Sequence, residues 1–167
     1  APGDLALLSG EADRYSILSR APEPTVTQLR GSSAATEALP EKIAERYLAL
    51  PDSVPERVLD LARTVTGDAP TGYDQALAIE RYLRAYPYTL DLPEPPAGHE
   101  LVDYFLFERQ EGYCDYYASA MVVMARATGI PARLASGYAQ GTYDYEAGHW
   151  VITGQDGHSW VEVYFAG

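Results

Sequence analysis

The only cysteine of the chain, Cys114, is followed by a run that reads as a helix, and three histidines, His99, His149 and His158, are available to serve it. A thiol with an imidazole in hydrogen-bond reach is a nucleophile with its general base, and the base in turn needs an orienting group. Gly129 and Pro131 form a helix-stop signal, and counting back from them starts the helix near Cys114. No charged residue falls between Ala118 and Ala125, so this helix is expected to be buried on most sides. A cysteine in the first turn sits where unpaired backbone N–H groups and the helix dipole favour negative charge, and thiolate is the reactive form. The same N–H groups serve as oxyanion donors in acyl transfer, and that of Cys114 itself is the first candidate. Gln110 is a second, and Gly112 allows close backbone approach. Two facts weigh against the reading: free cysteines are often inert core filler, and Asp115 puts an opposing negative charge next door.

His158 opens the alternating segment Ser159-Trp160-Val161-Glu162-Val163-Tyr164-Phe165, and the mouth of a sheet suits a functional group. His99 reads as a solvated loop residue and His149 as half-buried strand packing. A zinc site from Cys114, His149 and His158 has a permissible ligand set. With a single cysteine it is the poorer reading, so neither metal nor cofactor is expected. That cysteine count also excludes an internal disulfide.

The elements that must position these groups follow from periodicity. Residues 1–30 read as a peripheral segment with one strand at Tyr15–Ser19, and residues 31–167 as the core domain. Helices are expected from Glu41 to Leu50, from a Ser53/Glu56 capping box with Val58, Ala62 and Val65 on one face, and along Ala76, Ile79, Leu83 and Tyr86. The proline-rich residues 87–99 read as an extended loop along a groove rim, and Leu101 to Phe107 as a short apolar helix. Period-two segments at Ala132–Ala139, His149–Thr153 and Ser159–Phe165 read as strands, with Gly154-Gln155-Asp156-Gly157 as a hairpin turn joining the last two. Helices first and strands second imply an α+β domain, with an antiparallel sheet against a helical layer.

Composition narrows the class. The 167 residues are 47% apolar, enough for a real core, and the net charge of −12 opposes binding to phosphate backbones, so no nucleic-acid partner is expected. Nothing approaches the roughly 20 apolar residues of a membrane span, and Ala1-Pro2-Gly3-Asp4 lacks signal-peptide character.

Four ordered pieces then combine: Gly112-Tyr113-Cys114 through Ala118, Ala127 through Ile130-Pro131-Ala132-Arg133, Ser136-Gly137-Tyr138, and His158-Ser159-Trp160-Val161-Glu162-Val163-Tyr164. Together they resemble the transglutaminase-like superfamily, and Asp103-Tyr104-Phe105-Leu106-Phe107 resembles its bacterial branch, found as the soluble domain of multi-span membrane proteins. The resemblance implies a papain-like α+β fold, a Cys-His-Asp triad with Cys114 and His158 as nucleophile and base, and acyl transfer on peptide or protein amides through a thioester. It places the chain on the extracytoplasmic side of a bacterial membrane, held there only by parts of a larger protein. The third triad member lies on the strand after the histidine strand and is expected beyond Gly167, which makes the core a truncated one. Asp144 and Asp156 do not match that motif and read as loop residues. Tyr113 and Trp160 are candidates for the groove, although Trp160 suits sheet packing and Tyr116 and Tyr117 suit helix packing. Glu162 is expected to pair with Arg133. The competing reading is a catalytically incomplete module that binds peptide or cell wall on the same fold.

Overall fold

The computed structural model describes residues 22–32 and 39–166; the strand expected at Tyr15–Ser19 lies outside them. Among the described residues six α-helices are followed by four strands: α1 (Val26–Gly31), α2 (Glu41–Tyr47), α3 (Glu56–Thr66), α4 (Gly72–Leu83), α5 (Leu101–Tyr104), α6 (Cys114–Ala127), β1 (Ala132–Tyr138), β2 (Thr142–Asp144), β3 (His149–Val151) and β4 (Gly157–Val163). This is the expected α+β order, with helix α6 packed on β4 and β1 on one side and on α3 and α4 on the other.

Helices α3 and α4 form as their apolar spacing predicts: Val58, Ala62, Ala76, Ile79 and Leu83 are all buried against α6. The start of α3 differs from the predicted capping box. Pro55, in an extended conformation, occupies the N-cap position with no side-chain cap. The residue before a proline is disfavoured in the helical region, so Val54 cannot join the first turn and the helix starts after Pro55, out of reach of Ser53. Helix α4 is capped instead by the Thr71 hydroxyl, which accepts from the Asp74 N–H at 3.1 Å. The short apolar helix is also longer than predicted, because α5 continues as a π-helical turn through Phe105–Arg109. Phe105 and Leu106 on that turn are fully buried and face Tyr86, Tyr116 and Tyr117.

The strand half departs further from expectation. Strand β1 pairs antiparallel with β4, Ala132 opposite Val163 and Tyr138 opposite Gly157. Strand β3 pairs not with β4 but with β2, a three-residue strand that the alternation pattern misses. Residues Gly154–Asp156 form a 3₁₀ turn that leads from one two-stranded sheet into the other, rather than a hairpin within one. The predicted hairpin failed because Thr153 caps that turn with Asp156, whose carboxylate accepts from the Thr153 N–H and hydroxyl. In β4, Ser159, Val161 and Val163 face α6 and the core, while His158, Trp160 and Glu162 alternate to the other side.

Candidate active site

The backbone that delivers Cys114 is held from below. Gly112 is buried, and a Cβ there would stand 2.9 Å from the Tyr116 Cβ and 3.2 Å from Phe105 Cε2, so only glycine lets the chain pass this close to the α6 core. The proline-rich segment pairs with it as a strap: the Gly112 N–H donates to the Pro87 carbonyl at 3.2 Å, and the Thr89 N–H donates to the Gly112 carbonyl at 2.9 Å. The Tyr117 hydroxyl donates to the carbonyls of Tyr86 and Pro87, at 2.9 and 2.8 Å, and Tyr88 stacks on the Tyr117 ring. The Tyr86 hydroxyl donates in turn to the Leu106 carbonyl. Burial pushes the Tyr86 and Tyr117 phenols up, and Tyr82 beside Tyr86 adds to the first of these, so both hydroxyls stay protonated and keep their hydrogen bonds.

Helix α6 begins at Cys114, as expected. Tyr113 holds the N-cap position in extended conformation and provides no side-chain cap, unlike the threonines that start α1 and α4. Backbone bonding in α6 starts with Tyr116 and Tyr117, whose N–H groups both donate to the Tyr113 carbonyl, so the N–H of Cys114 precedes the first of these bonds. Cys114 is half-buried. Its thiol lies 3.9 Å from Asp115 Oδ1, in donor geometry.

The other half of the site arrives on β4. His158 is exposed and lies opposite Gly137 in the β1–β4 ladder. Ser159, the next residue, is buried and donates its hydroxyl to Asp115 Oδ1 at 2.5 Å. The residue after the cysteine is therefore tied to the residue after the histidine. Among the described residues no hydrogen bond joins Cys114 directly to His158. Trp160 is neither core nor fully solvated: at 40% exposure it lies across Gly137, where a Cβ would stand 3.1 Å from its ring. Glu162 faces away from Val161 and Val163, as their alternation predicted, and it accepts from Arg133 Nε at 2.6 Å, as expected; Arg133 also lies over the Tyr47 ring.

The remaining candidates are dispersed. Tyr113 packs edge-on against Tyr116 beside the core, next to the thiol. Gln110 takes a left-handed conformation (φ 54°), and its amide donates to the Leu106 carbonyl at 3.4 Å, which engages it at the end of the π-helical turn. His99 stands edge-on to Tyr104 and 3.7 Å from Glu108. His149 is exposed on β3, opposite Asp144, and not half-buried as predicted: among the described residues, β3 pairs with β2 alone and all three of its residues are exposed. Asp144 ends β2 and its carboxylate accepts from the Glu146 and Ala147 N–H groups of the turn that follows, while Asp156 lies in the 3₁₀ turn and caps at Thr153. Among the described residues no group of three histidine, cysteine or acidic side chains is placed to hold a metal. Two features escaped the sequence reading. The strap at Pro87–Thr89 has no pattern of its own. The Asp115–Ser159 contact had one faint signal: a serine in phase with Val161 and Val163, on the face that should be apolar.

Comparison with known proteins adds to this geometry. Residues 59–167 match the transglutaminase-like superfamily. Protein YebA of Bacillus subtilis is 39% identical over 159 residues, which cover 90% of this chain and 21% of YebA. A protein-glutamine gamma-glutamyltransferase of Pseudomonas aeruginosa is 42% identical over 79 residues, 47% of this chain and 12% of that enzyme. The crystal structure of the periplasmic domain of TgpA from Pseudomonas aeruginosa superposes with a TM-score of 0.68 at 30% identity, covering 76% of this chain and 44% of that one. The chain thus spans about a fifth or less of the curated relatives it matches.

Proposed function

We propose cysteine-dependent acyl transfer for this chain, which belongs to the transglutaminase-like superfamily. The observation that carries the reading is the meeting of the uncapped start of α6 at Cys114 with the start of β4 at His158, joined through the residue that follows each. In this mechanism the thiolate of Cys114 attacks an amide carbonyl of a peptide or protein. His158 takes the thiol proton and returns it to the leaving amine. The C–S bond forms, the C–N bond breaks, and the acyl group is held as a thioester. The N–H of Cys114 stabilises the oxyanion on the way. An amine or water then takes the acyl group, which gives cross-linking, deamidation or hydrolysis. The Pseudomonas relative's name, a protein-glutamine gamma-glutamyltransferase, favours glutamine carboxamides as donors and protein amines as acceptors. We place the site on the extracytoplasmic side of a bacterial membrane, as a domain of a larger protein, which the periplasmic TgpA domain supports. No described helix is long and apolar enough to cross a membrane.

Iodoacetamide tests the reading. Alkylation of Cys114, or Cys114→Ser, should abolish release of ammonia from glutamine peptides and amine incorporation, a loss of at least about a thousandfold. Unchanged turnover after complete alkylation would sink the mechanism.

A second reading, a peptide- or wall-binding module without turnover, is favoured by one observation. Among the described residues no carboxylate hydrogen-bonds His158, and Asp144 and Asp156 are engaged in their own turns. The catalytic proposal requires an acidic third member to orient His158; loss of such a carboxylate costs about 10⁴ in the serine triad. Retention of peptide without turnover by the full chain would favour the binding reading.

A further inference from the structure

The strand that carries His158 and the helix that carries Cys114 are brought together by packing between apolar faces. Such packing is non-directional, and the ladder with β1 orders β4 from its other edge rather than from the helix. One directional contact lies between them at the site itself. Ser159 is buried at 7% exposure, in a row with Val161 and Val163, and its hydroxyl meets Asp115 Oδ1 at 2.5 Å. The same carboxylate oxygen is 3.9 Å from the Cys114 thiol. Asp115 stands in the first turn of α6, where a negative charge suits the helix dipole, and its carboxylate reaches across to the strand. A buried hydroxyl among apolar neighbours costs stability unless it is bonded, so its place in the Val161/Val163 row requires this partner.

We infer that Asp115 and Ser159 are positioning residues: their hydrogen bond sets the register of the β4 start against the α6 start, and with it the separation of His158 from Cys114. The inference rests on Cys114 and His158 being nucleophile and base. A carboxylate oxygen has more than one lone pair, so Asp115 can accept from Ser159 and from the resting thiol at once. When the proton leaves the thiol for His158, the bond to Ser159 remains and holds the strand in place.

The consequence is measurable without a substrate. The rate of Cys114 alkylation by iodoacetamide at neutral pH reports how well His158 assists the thiol, and a thermodynamic cycle separates positioning from fold loss. Ser159→Ala should slow alkylation about 10- to 100-fold, the range expected for a displacement near 1 Å. His158→Ala should slow it as much or more, and the double variant should be no slower than His158→Ala alone. Ser159→Thr, which keeps the hydroxyl, should restore most of the rate. Asp115→Ala removes the same bond together with an opposing charge beside the thiol, so it should slow alkylation less than Ser159→Ala, and adding Ser159→Ala to it should change the rate no further. The melting temperature of each variant shows that the comparison is between folded proteins, and Ser159→Thr covers the case in which Ser159→Ala fails to fold. If His158→Ala leaves the rate unchanged, the catalytic pairing is itself wrong. If His158→Ala slows alkylation but Ser159→Ala does not, or if the two effects multiply in the double variant, the pairing stands and the positioning role is overturned.

Discussion

The helical half and the strand half of this domain are built to different standards. On the helical side, α3, α4, the π-helical turn and α6 bury Val58, Ala62, Ile79, Phe105, Ala120, Met124 and Ala125 completely or nearly so. On the strand side the β2–β3 hairpin is exposed along one whole strand, and Tyr138, Tyr145, Trp150, Val151, Ile152 and Trp160 all present large apolar surface. The candidate nucleophile rides on the first half and the candidate base on the second. The contrast teaches where geometry is decided. Cys114 inherits its position from a dense core, whereas His158 inherits its own from one ladder with β1, from packing on α6, and from the Ser159–Asp115 bond.

That comparison is open to breakage. Phe105→Ala strikes the helical half at its most enclosed aromatic, which touches Tyr86, Tyr116 and Tyr117. It should cost about 3–5 kcal/mol, read from denaturant unfolding; a loss under 1 kcal/mol would mean the core is not where the burial places it. Gly112→Ala acts on the backbone that delivers the thiol. Its Cβ has no room between Tyr116 and Phe105, so about 1–3 kcal/mol should be lost, with slower alkylation of Cys114. A variant as stable and as reactive as the parent would remove the strap-and-glycine account of that approach.

Acid should also act on the helical half. Asp103 is nearly buried, and its two oxygens accept from Nε and Nη2 of Arg57, each at 2.5 Å. The hydrogen bonds from Arg57 hold its carboxyl below the usual carboxylate range, against the opposing pull of burial. A carboxyl lowered on folding stabilises fully above its unfolded value, and that contribution is lost as pH falls through the lower folded one. Asp103→Asn should therefore cost about 1–2 kcal/mol near neutrality, less than a fully buried pair because Arg57 is half-exposed, and should flatten the fall in stability on acidification. An unchanged acid limb would assign acid sensitivity elsewhere. The smallest effect is expected in the strand half. Trp150→Ala removes edge contacts with Tyr143 but little burial, and should cost about 1 kcal/mol or less. A loss as large as that of Phe105→Ala would erase the distinction between the halves.

Legibility in the sequence divides along the same line. The apolar face of α3 and of α4, the start and stop of α6, and the side of β4 that carries Glu162 were readable because each depends on spacing within one element or on alternation along one strand. The errors were of another kind. The Ser53 capping box looked sound locally, and Pro55 overrode it. His149–Thr153 and Ser159–Phe165 were read as hairpin partners because they are neighbours in sequence, yet each pairs with an earlier strand. Gln110 looked like an oxyanion donor by analogy, and a left-handed turn directs its amide to Leu106 instead.

By itself the sequence determined the kind of domain and offered Cys114 and His158 as the candidate pair, because helix stops, apolar periodicity and four ordered motifs are properties of residue order. Tertiary structure alone decided which strands pair, that residues 87–89 lie beside Gly112, and that Asp115 turns from its own helix to meet Ser159. The last two outcomes depend on contacts between residues 23 to 44 positions apart, where closing the loop costs entropy that only the assembled core can offset. No local pattern records that balance.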